Sequence, residues 1–297
     1  MEGKALRKRD EWNTNKRLTT FRIYMTEENK IRFLNKLDEK GRRIWEKLIK
    51  KIEEIMYNNI LKYSDIFDKE EKIEQEEFAI FCMEEKDQIP FNMCEVWSYL
   101  NYFYIENLDD EFKNLKWKDI IDCGWYNGDS SLAMIEYLQN IWKIYCIEPE
   151  LENFWKITKI IKQKNINNIT PINLWLWDKK SEWIITEWWA WSNLSMNDES
   201  IKWEKISIDT IDNIVRDYNI SPWLIKRDIE WFEYSSIVWA KETIVKHKPI
   251  LLISIYHTWK DWFEILPLIE SRNLDYKFTL RRWNCFHPFA DTLLICY

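Results

Sequence analysis

A carboxylate and two glycines lie close together in Asp119-Ile-Ile-Asp-Cys-Gly-Trp-Tyr-Asn-Gly-Asp-Ser130, where a short apolar run reaches Asp122 and then turns. The pattern fits the first strand of an open α/β sheet, whose carboxyl edge is where such sheets bind ligands. Gly124 and Gly128 suit a tight turn, and Asp129 or Ser130 can cap the free N–H groups of a helix that follows. A nucleotide-like cofactor fits that place. A second acid, Glu148, closes the stretch Lys143-Ile-Tyr-Cys-Ile-Glu148, 20 residues after Gly128. A carboxylate there can accept two hydrogen bonds from a ribose diol, which is why nucleotide sites of this topology carry one. Asp178, which follows Trp177 at the end of a third apolar stretch, offers a carboxylate to an adenine amino group. Each also has a plainer reading, as a strand-end acid or a simple strand-to-helix turn.

These residues need a frame of alternating strands and helices to hold them, and the sequence from 114 onward supplies that pattern. Strands are expected at 119–123, 143–148, 169–176, 223–228, 250–256, 275–281 and 291–297, and helices at 129–140, 150–164, 209–218, 233–246 and 260–271. Only 282–290 separates the last two strands, too little for a parallel crossover, so they should pair antiparallel. An otherwise parallel α/β sheet of about seven strands ending this way resembles the Rossmann-like fold of class I methyltransferases. Residues 1–113 read differently. Ile44, Leu48, Ile52, Ile55 and Met56 recur at helical spacing, so a mostly helical N-terminal region of unknown role should precede an α/β domain over 114–297. Aromatic residues between 91 and 107 suit packing between the two parts.

Composition narrows the function classes. The 297-residue chain carries a formal charge of -7, which argues against a general nucleic-acid binder, because phosphate binding draws on a basic surface. No apolar run is long enough to span a bilayer and the N-terminus has no apolar leader core, so a cytoplasmic protein without membrane partners is expected. Six scattered cysteines without a C-x-x-C pair suggest buried thiols rather than a zinc site or disulfide framework.

The chain holds 20 Trp and only 4 Gly, whereas glycine at its usual share would occur roughly 20 times in this length. Several tryptophans stand where a residue without Cβ is wanted: Trp125 in the cofactor turn, Trp177 at a strand end, Trp188, Trp189 and Trp191 in a loop, and Trp231 in Asp-Ile-Glu-Trp-Phe-Glu. A decoding difference would explain this, with UGA codons that the source organism reads as glycine written as tryptophan. UGG codons at Trp125, Trp177, Trp231 and Trp239 would rule it out.

Five blocks, Asp122-Cys-Gly-Trp-Tyr-Asn-Gly-Asp129, Ile147-Glu-Pro149, Ile225-Lys-Arg-Asp-Ile-Glu-Trp-Phe-Glu233, Trp239-Ala-Lys-Glu-Thr-Ile244 and Ser254-Ile-Tyr-His257, resemble in order the FkbM-type S-adenosylmethionine-dependent O-methyltransferases. The resemblance covers about 114–297. In that family the third block reads Asp-Ile-Glu-Gly and the fourth begins Gly-Ala, so the departures at Trp231 and Trp239 are again tryptophan for glycine. The resemblance implies S-adenosylmethionine as cofactor, bound by Asp122, Gly124, Gly128, Glu148 and Asp178. It also implies a hydroxyl acceptor on a sugar, glycan or other small molecule. Methyl transfer from a sulfonium requires donor and acceptor to be held in line and a base for the hydroxyl proton. Asp228, Glu230 and His257, at the ends of the fourth and fifth strands, are the candidates, and His257 titrates in the most suitable range. The acids could instead hold a divalent metal. Two other classes remain open: a nicotinamide-dependent oxidoreductase, which would want a further glycine where Ser130 and Ser131 stand, and a non-catalytic α/β scaffold.

Overall fold

A computed structural model of the chain describes residues 23–58, 67–85, 118–124, 128–138, 142–186, 203–282 and 290–297. Three helices come first: α1 (Glu27–Lys36), α2 (Glu39–Asn58) and α3 (Lys69–Glu85). The α/β elements follow as β1 (Asp119–Cys123), α4 (Asp129–Tyr137), β2 (Lys143–Glu148), α5 (Leu151–Gln163), β3 (Ile169–Asn173), β4 (Trp175–Leu176), β5 (Ser181–Thr186), β6 (Trp203–Asp209), α6 (Ile211–Asp217), β7 (Pro222–Arg227), α7 (Glu233–Val238), α8 (Lys241–His247), β8 (Ile250–Ser254), α9 (Trp259–Glu270), β9 (Phe278–Arg282) and β10 (Thr292–Cys296). Seven strands form one mixed sheet in the order β3-β2-β1-β7-β8-β10-β9, and β4-β6-β5 form a smaller one. The chain divides into two compact units, Met1–Asp109 with Ile250–Tyr297, and Asp110–Pro249.

In the second unit β1 pairs in parallel with β2 on one side and β7 on the other, and β2 pairs in parallel with β3. All five residues of β1 are buried, as expected of a central parallel strand covered on both faces. Ile120, Ile121, Ile144, Ile147, Leu224 and Ile225 supply its core. Asp119 is accommodated at the start of β1 because its Oδ2 accepts from the Ser221 N–H at 3.0 Å.

In the first unit β10 pairs antiparallel with both β8 and β9, the hairpin that the short final connection requires. Helix α2 buries Trp45, Leu48, Ile52 and Ile55, residues three and four apart on one face. Its N-terminal end lies close to β9: Leu37 forms a parallel bridge with Phe278, and a Cβ on Gly41 would come within 2.8 Å of the Leu280 nitrogen. A buried ion cluster joins the helices to the strand, with Glu71 of α3 paired to Lys51 of α2 and, at 3.1 Å, to Arg282 of β9.

Burial alone would raise the Glu71 carboxyl. The Lys51 ammonium, the Asp68 N–H and the Arg282 guanidinium outweigh it and hold the carboxyl below its ordinary value. Because the folded carboxyl is the stronger acid, its contribution to stability is complete above the unfolded carboxylate range, at about pH 4.3, and is lost as pH falls through the lower folded value. Thermal melts should therefore lose stability below about pH 4, and Glu71→Gln should flatten that loss.

Several elements differ from the sequence pattern. The stretch 169–176 divides into β3 and β4, which belong to different sheets. The expected helix over 233–246 is two helices, with Trp239 capping the end of α7 and Ala240 leading into α8. Strands β5 and β6 were not expected at all. The aromatic segment 91–107, and Trp125, Trp188, Trp189 and Trp191, lie outside the described residues.

Candidate cofactor site at the ends of β1 and β2

The end of β1 is tied to its neighbours by backbone on both sides. The Gly124 N–H donates to the Ile147 carbonyl at 3.1 Å, and the Asp228 N–H donates to the Cys123 carbonyl at 3.0 Å. Gly124 adopts φ +77, and a Cβ there would stand 1.6 Å from the Asp228 carbonyl oxygen. Glycine is thus required where the chain leaving β1 crosses the chain leaving β7. Gly128, at φ +90, is the N-cap of α4. In the first turn of that helix the Asp129 Oδ1 accepts from the Ser130 N–H at 2.6 Å.

Asp122 is fully buried, and its carboxylate is engaged by the protein itself. Its Oδ2 accepts from the Ser130 and Ser131 hydroxyls at 2.6 and 2.7 Å, and its Oδ1 lies 3.2 Å from the Lys226 ammonium. Lys226 also donates to the Gly124 carbonyl at 3.1 Å. One buried ammonium therefore joins the strand, the glycine turn and, through Asp122, the start of α4. Burial opposes the charge on Lys226, but Asp122, Asp228 and Asp129 more than offset that and raise its pKa above the ordinary lysine value. The ammonium stays charged throughout the physiological range.

Glu148 ends β2 and is 5% exposed; its Oε1 accepts from the Glu150 N–H at 3.0 Å. The chain returns to this point after β3, where the Leu174 N–H donates to the Glu148 carbonyl at 3.3 Å and the Asn173 side chain donates to the same carbonyl at 3.0 Å. Four residues later comes Asp178, half-buried, whose Oδ1 is buried and has no hydrogen-bond partner among the described residues. A buried carboxylate oxygen of this kind suits a donor from outside the chain, such as an exocyclic amino group. Between them Trp177 packs on Phe232, ring centroids 4.5 Å apart.

The other three sequence candidates follow strands. Asp228, half-buried, is the first residue after β7, and Glu230 is exposed at φ +44. His257, in the first unit, is 8% exposed and its ring lies 4.1 Å from that of Tyr256, tilted by 42°. It directly precedes Thr258, whose hydroxyl forms a reciprocal cap with Asp261 at the start of α9.

Three contributors escaped the sequence reading. Lys226 and Ser131 complete the shell around Asp122. Glu233, fully buried, accepts from the Ile229 N–H at 2.9 Å and fixes the turn between β7 and α7. The signal for Lys226 is present in the sequence: Lys226 and Arg227 close a strand that begins Pro-Trp-Leu-Ile, and a charge carried into a central strand needs a buried partner. Cys123 and Cys146 are buried free thiols. Burial pushes the Cys123 thiol up to about 12 and the Cys146 thiol well above its ordinary value, so both stay protonated and act as small packing residues.

No protein-family model matches the sequence, and no curated protein matches it. Among solved structures the chain is similar to the methyltransferase FkbM from Methylobacillus flagellatus KT, with a TM-score of 0.62 and 18% identity, covering 91% of this chain and 58% of that one. Fainter likenesses include an rRNA methylase from Streptococcus thermophilus (TM-score 0.39, 14% identity, 63% of this chain and 90% of that one). Another is Aeropyrum pernix fibrillarin with natively bound S-adenosyl-L-methionine (TM-score 0.43, 11% identity, 68% and 76%). No helix among the described residues is long and apolar enough to cross a membrane. In strand order, in its antiparallel final hairpin and in the helices that flank the sheet, the chain has the Rossmann-like fold of the methyltransferases.

Proposed function

We propose that the chain binds S-adenosylmethionine across the ends of β1 and β2 and transfers its methyl group to a hydroxyl of a sugar, glycan or other small molecule. One observation carries the reading. On adjacent parallel strands of this fold, β1 ends in a turn at Gly124 that admits no Cβ, and β2 ends in the carboxylate of Glu148. Asp178 Oδ1, just after β4, is buried without a hydrogen-bond partner among the described residues and offers a further acceptor. The resemblance of the Asp228–Glu233 and Ser254–His257 blocks to the FkbM-type enzymes supports the hydroxyl acceptor.

When bound, the cofactor supplies an electrophilic methyl carbon on a sulfonium. The chain's own residues hold and orient it. Glu148 would accept from the ribose diol and Asp178 from the adenine amino group, while the Asp122–Lys226 pair holds the Gly124 end of β1. An acceptor hydroxyl held against that methyl would need to give up its proton, and a carboxylate or imidazole of the chain would receive it. Asp228, Glu230 and His257 are the groups assigned to that proton.

Glu148→Ala tests the reading directly. Loss of charge-assisted hydrogen bonds costs on the order of 1.5–3 kcal/mol each, so S-adenosylmethionine affinity by calorimetry should fall at least about tenfold while the circular dichroism spectrum is unchanged. The measurement is made on the chain as written and on a form with glycine at positions 125 and 231. Unchanged affinity in both would remove Glu148 from the site, and no binding by either would remove the function.

A further inference from the structure

The tryptophans of the described residues fall into different environments. Trp45 and Trp262 are each 1% exposed. Trp45 stacks on Phe33 at 4.2 Å and 14°, and meets Trp262 at 5.7 Å, so the core of the first unit is shaped around indole rings. Trp231 is 44% exposed, and its backbone has φ +77.

That angle separates it from every comparable residue. The other described non-glycine residues at positive φ are Asn165, Asn219, Glu230, Lys248, Asn273, Asp275 and Asp291, all between 44° and 54°. Five of them are Asn or Asp, the residues that tolerate the left-handed region best. The glycines at positive φ, Gly124 and Gly128, lie at 77° and 90°. Trp231 therefore shares the angle of the glycines, at the far edge of the small left-handed region near about +50° to +70° open to residues with a Cβ. A bulky aromatic at that angle is an outlier even among positive-φ residues.

We infer that position 231 is glycine in the protein made by its own cell, its codon being a UGA that the cell reads as glycine. The 4 Gly and 20 Trp of the chain fit the same decoding. Structure adds a sorting that composition cannot: position 231 is glycine, whereas 45 and 262, whose indoles fill the core, are tryptophan. Glu230 and residue 231 form two consecutive left-handed positions that turn the chain out of β7, and Glu233 closes that turn by accepting from the Ile229 N–H. Glycine lets this turn form without strain directly after Asp228, and it removes an exposed indole from the edge where Asp228 and Glu230 stand. The inference does not depend on the methyl-transfer reading, because it concerns backbone conformation and decoding alone.

Mass spectrometry of the protein purified from the organism that encodes it decides the matter. The peptide spanning 228–233 should contain glycine at 231, and the peptide spanning Trp45 should contain tryptophan. Tryptophan at 231 would overturn the inference. A recombinant pair tests the backbone argument separately. Trp231→Gly and Trp231→Ala both remove the indole, but only glycine relieves the positive φ. The glycine form should melt about 2–6 °C above the alanine form. Equal melting temperatures would show that the turn places no glycine demand on this position.

Discussion

Gly124→Ala is expected to damage both stability and cofactor binding. The added Cβ would sit 1.6 Å from the Asp228 carbonyl oxygen and 2.5 Å from its carbon. Both are backbone atoms, held in place by the Asp228 N–H bond to Cys123, so no rotamer change can relieve the overlap. The ends of β1 and β7 must move apart. Forced expansion of a packed region costs about 1–3 kcal/mol, and a Cβ at positive φ adds about 1–2 kcal/mol. For a chain of this size the sum corresponds to a fall of about 5–15 °C in Tm. The same displacement pulls the Gly124 carbonyl from Lys226 and its N–H from Ile147, so S-adenosylmethionine affinity should fall at least about tenfold. Scanning calorimetry and titration calorimetry on one preparation check both effects. A variant that keeps the parent Tm and affinity would show that the crossing of the two strand ends is not as tight as described.

What could be read from the sequence follows from how local each signal is. Strands β1, β2, β7 and β8 each hold a short run of buried apolar residues, such as Ile120-Ile121, Leu224-Ile225 and Leu251-Leu252-Ile253, and each is followed closely by a polar strand end or turn, which is most of what a central parallel strand needs to declare itself. The final hairpin was legible because so few residues connect its strands. The small sheet β4-β6-β5 was not. β4 has only two residues, Trp175–Leu176, and its partner β6 lies some thirty positions further on, so nothing within a sequence window indicates the pairing. The split between α7 and α8 was hidden for another reason. Ile237, Trp239, Ala240 and Ile244 continue an apolar pattern through the break, and no glycine marks the helix end. Glycine at 239, where the resembling family has Gly-Ala, would have marked it.

Site residues divide in a similar way. The positions of Glu148 and Asp228 follow from strand ends, which the sequence shows. What Asp122 does depends on which side chains reach it. Ser130, Ser131 and Lys226 come from a helix and a strand up to 104 residues away, and they satisfy its carboxylate inside the protein. The sequence makes Asp122 a candidate for the cofactor; the structure adds that its carboxylate holds the Lys226 ammonium, which in turn holds the Gly124 carbonyl.

That chain of contacts makes Lys226→Met the second large effect. Removing one partner of a buried pair leaves the other charge uncompensated, at a cost of about 3–5 kcal/mol. Asp122 is fully buried, so water cannot replace the ammonium without opening the strand end. Lower stability alone would not separate a positioning role from a merely structural one. A double variant does. In Lys226→Met with Asp122→Asn the buried charge is gone, and the Asn carbonyl still accepts from Ser130 and Ser131, so most of the lost Tm should return. The Gly124 carbonyl, however, still lacks its donor, and the turn is free to take other orientations. S-adenosylmethionine affinity should therefore remain at least about fivefold below the parent in the double variant, the worth of about one hydrogen bond. If affinity returns together with Tm, Lys226 serves only to neutralise Asp122. If Tm stays low in the double variant while affinity is normal, the ammonium's partner in folding is not Asp122, and the network around the glycine turn must be redrawn.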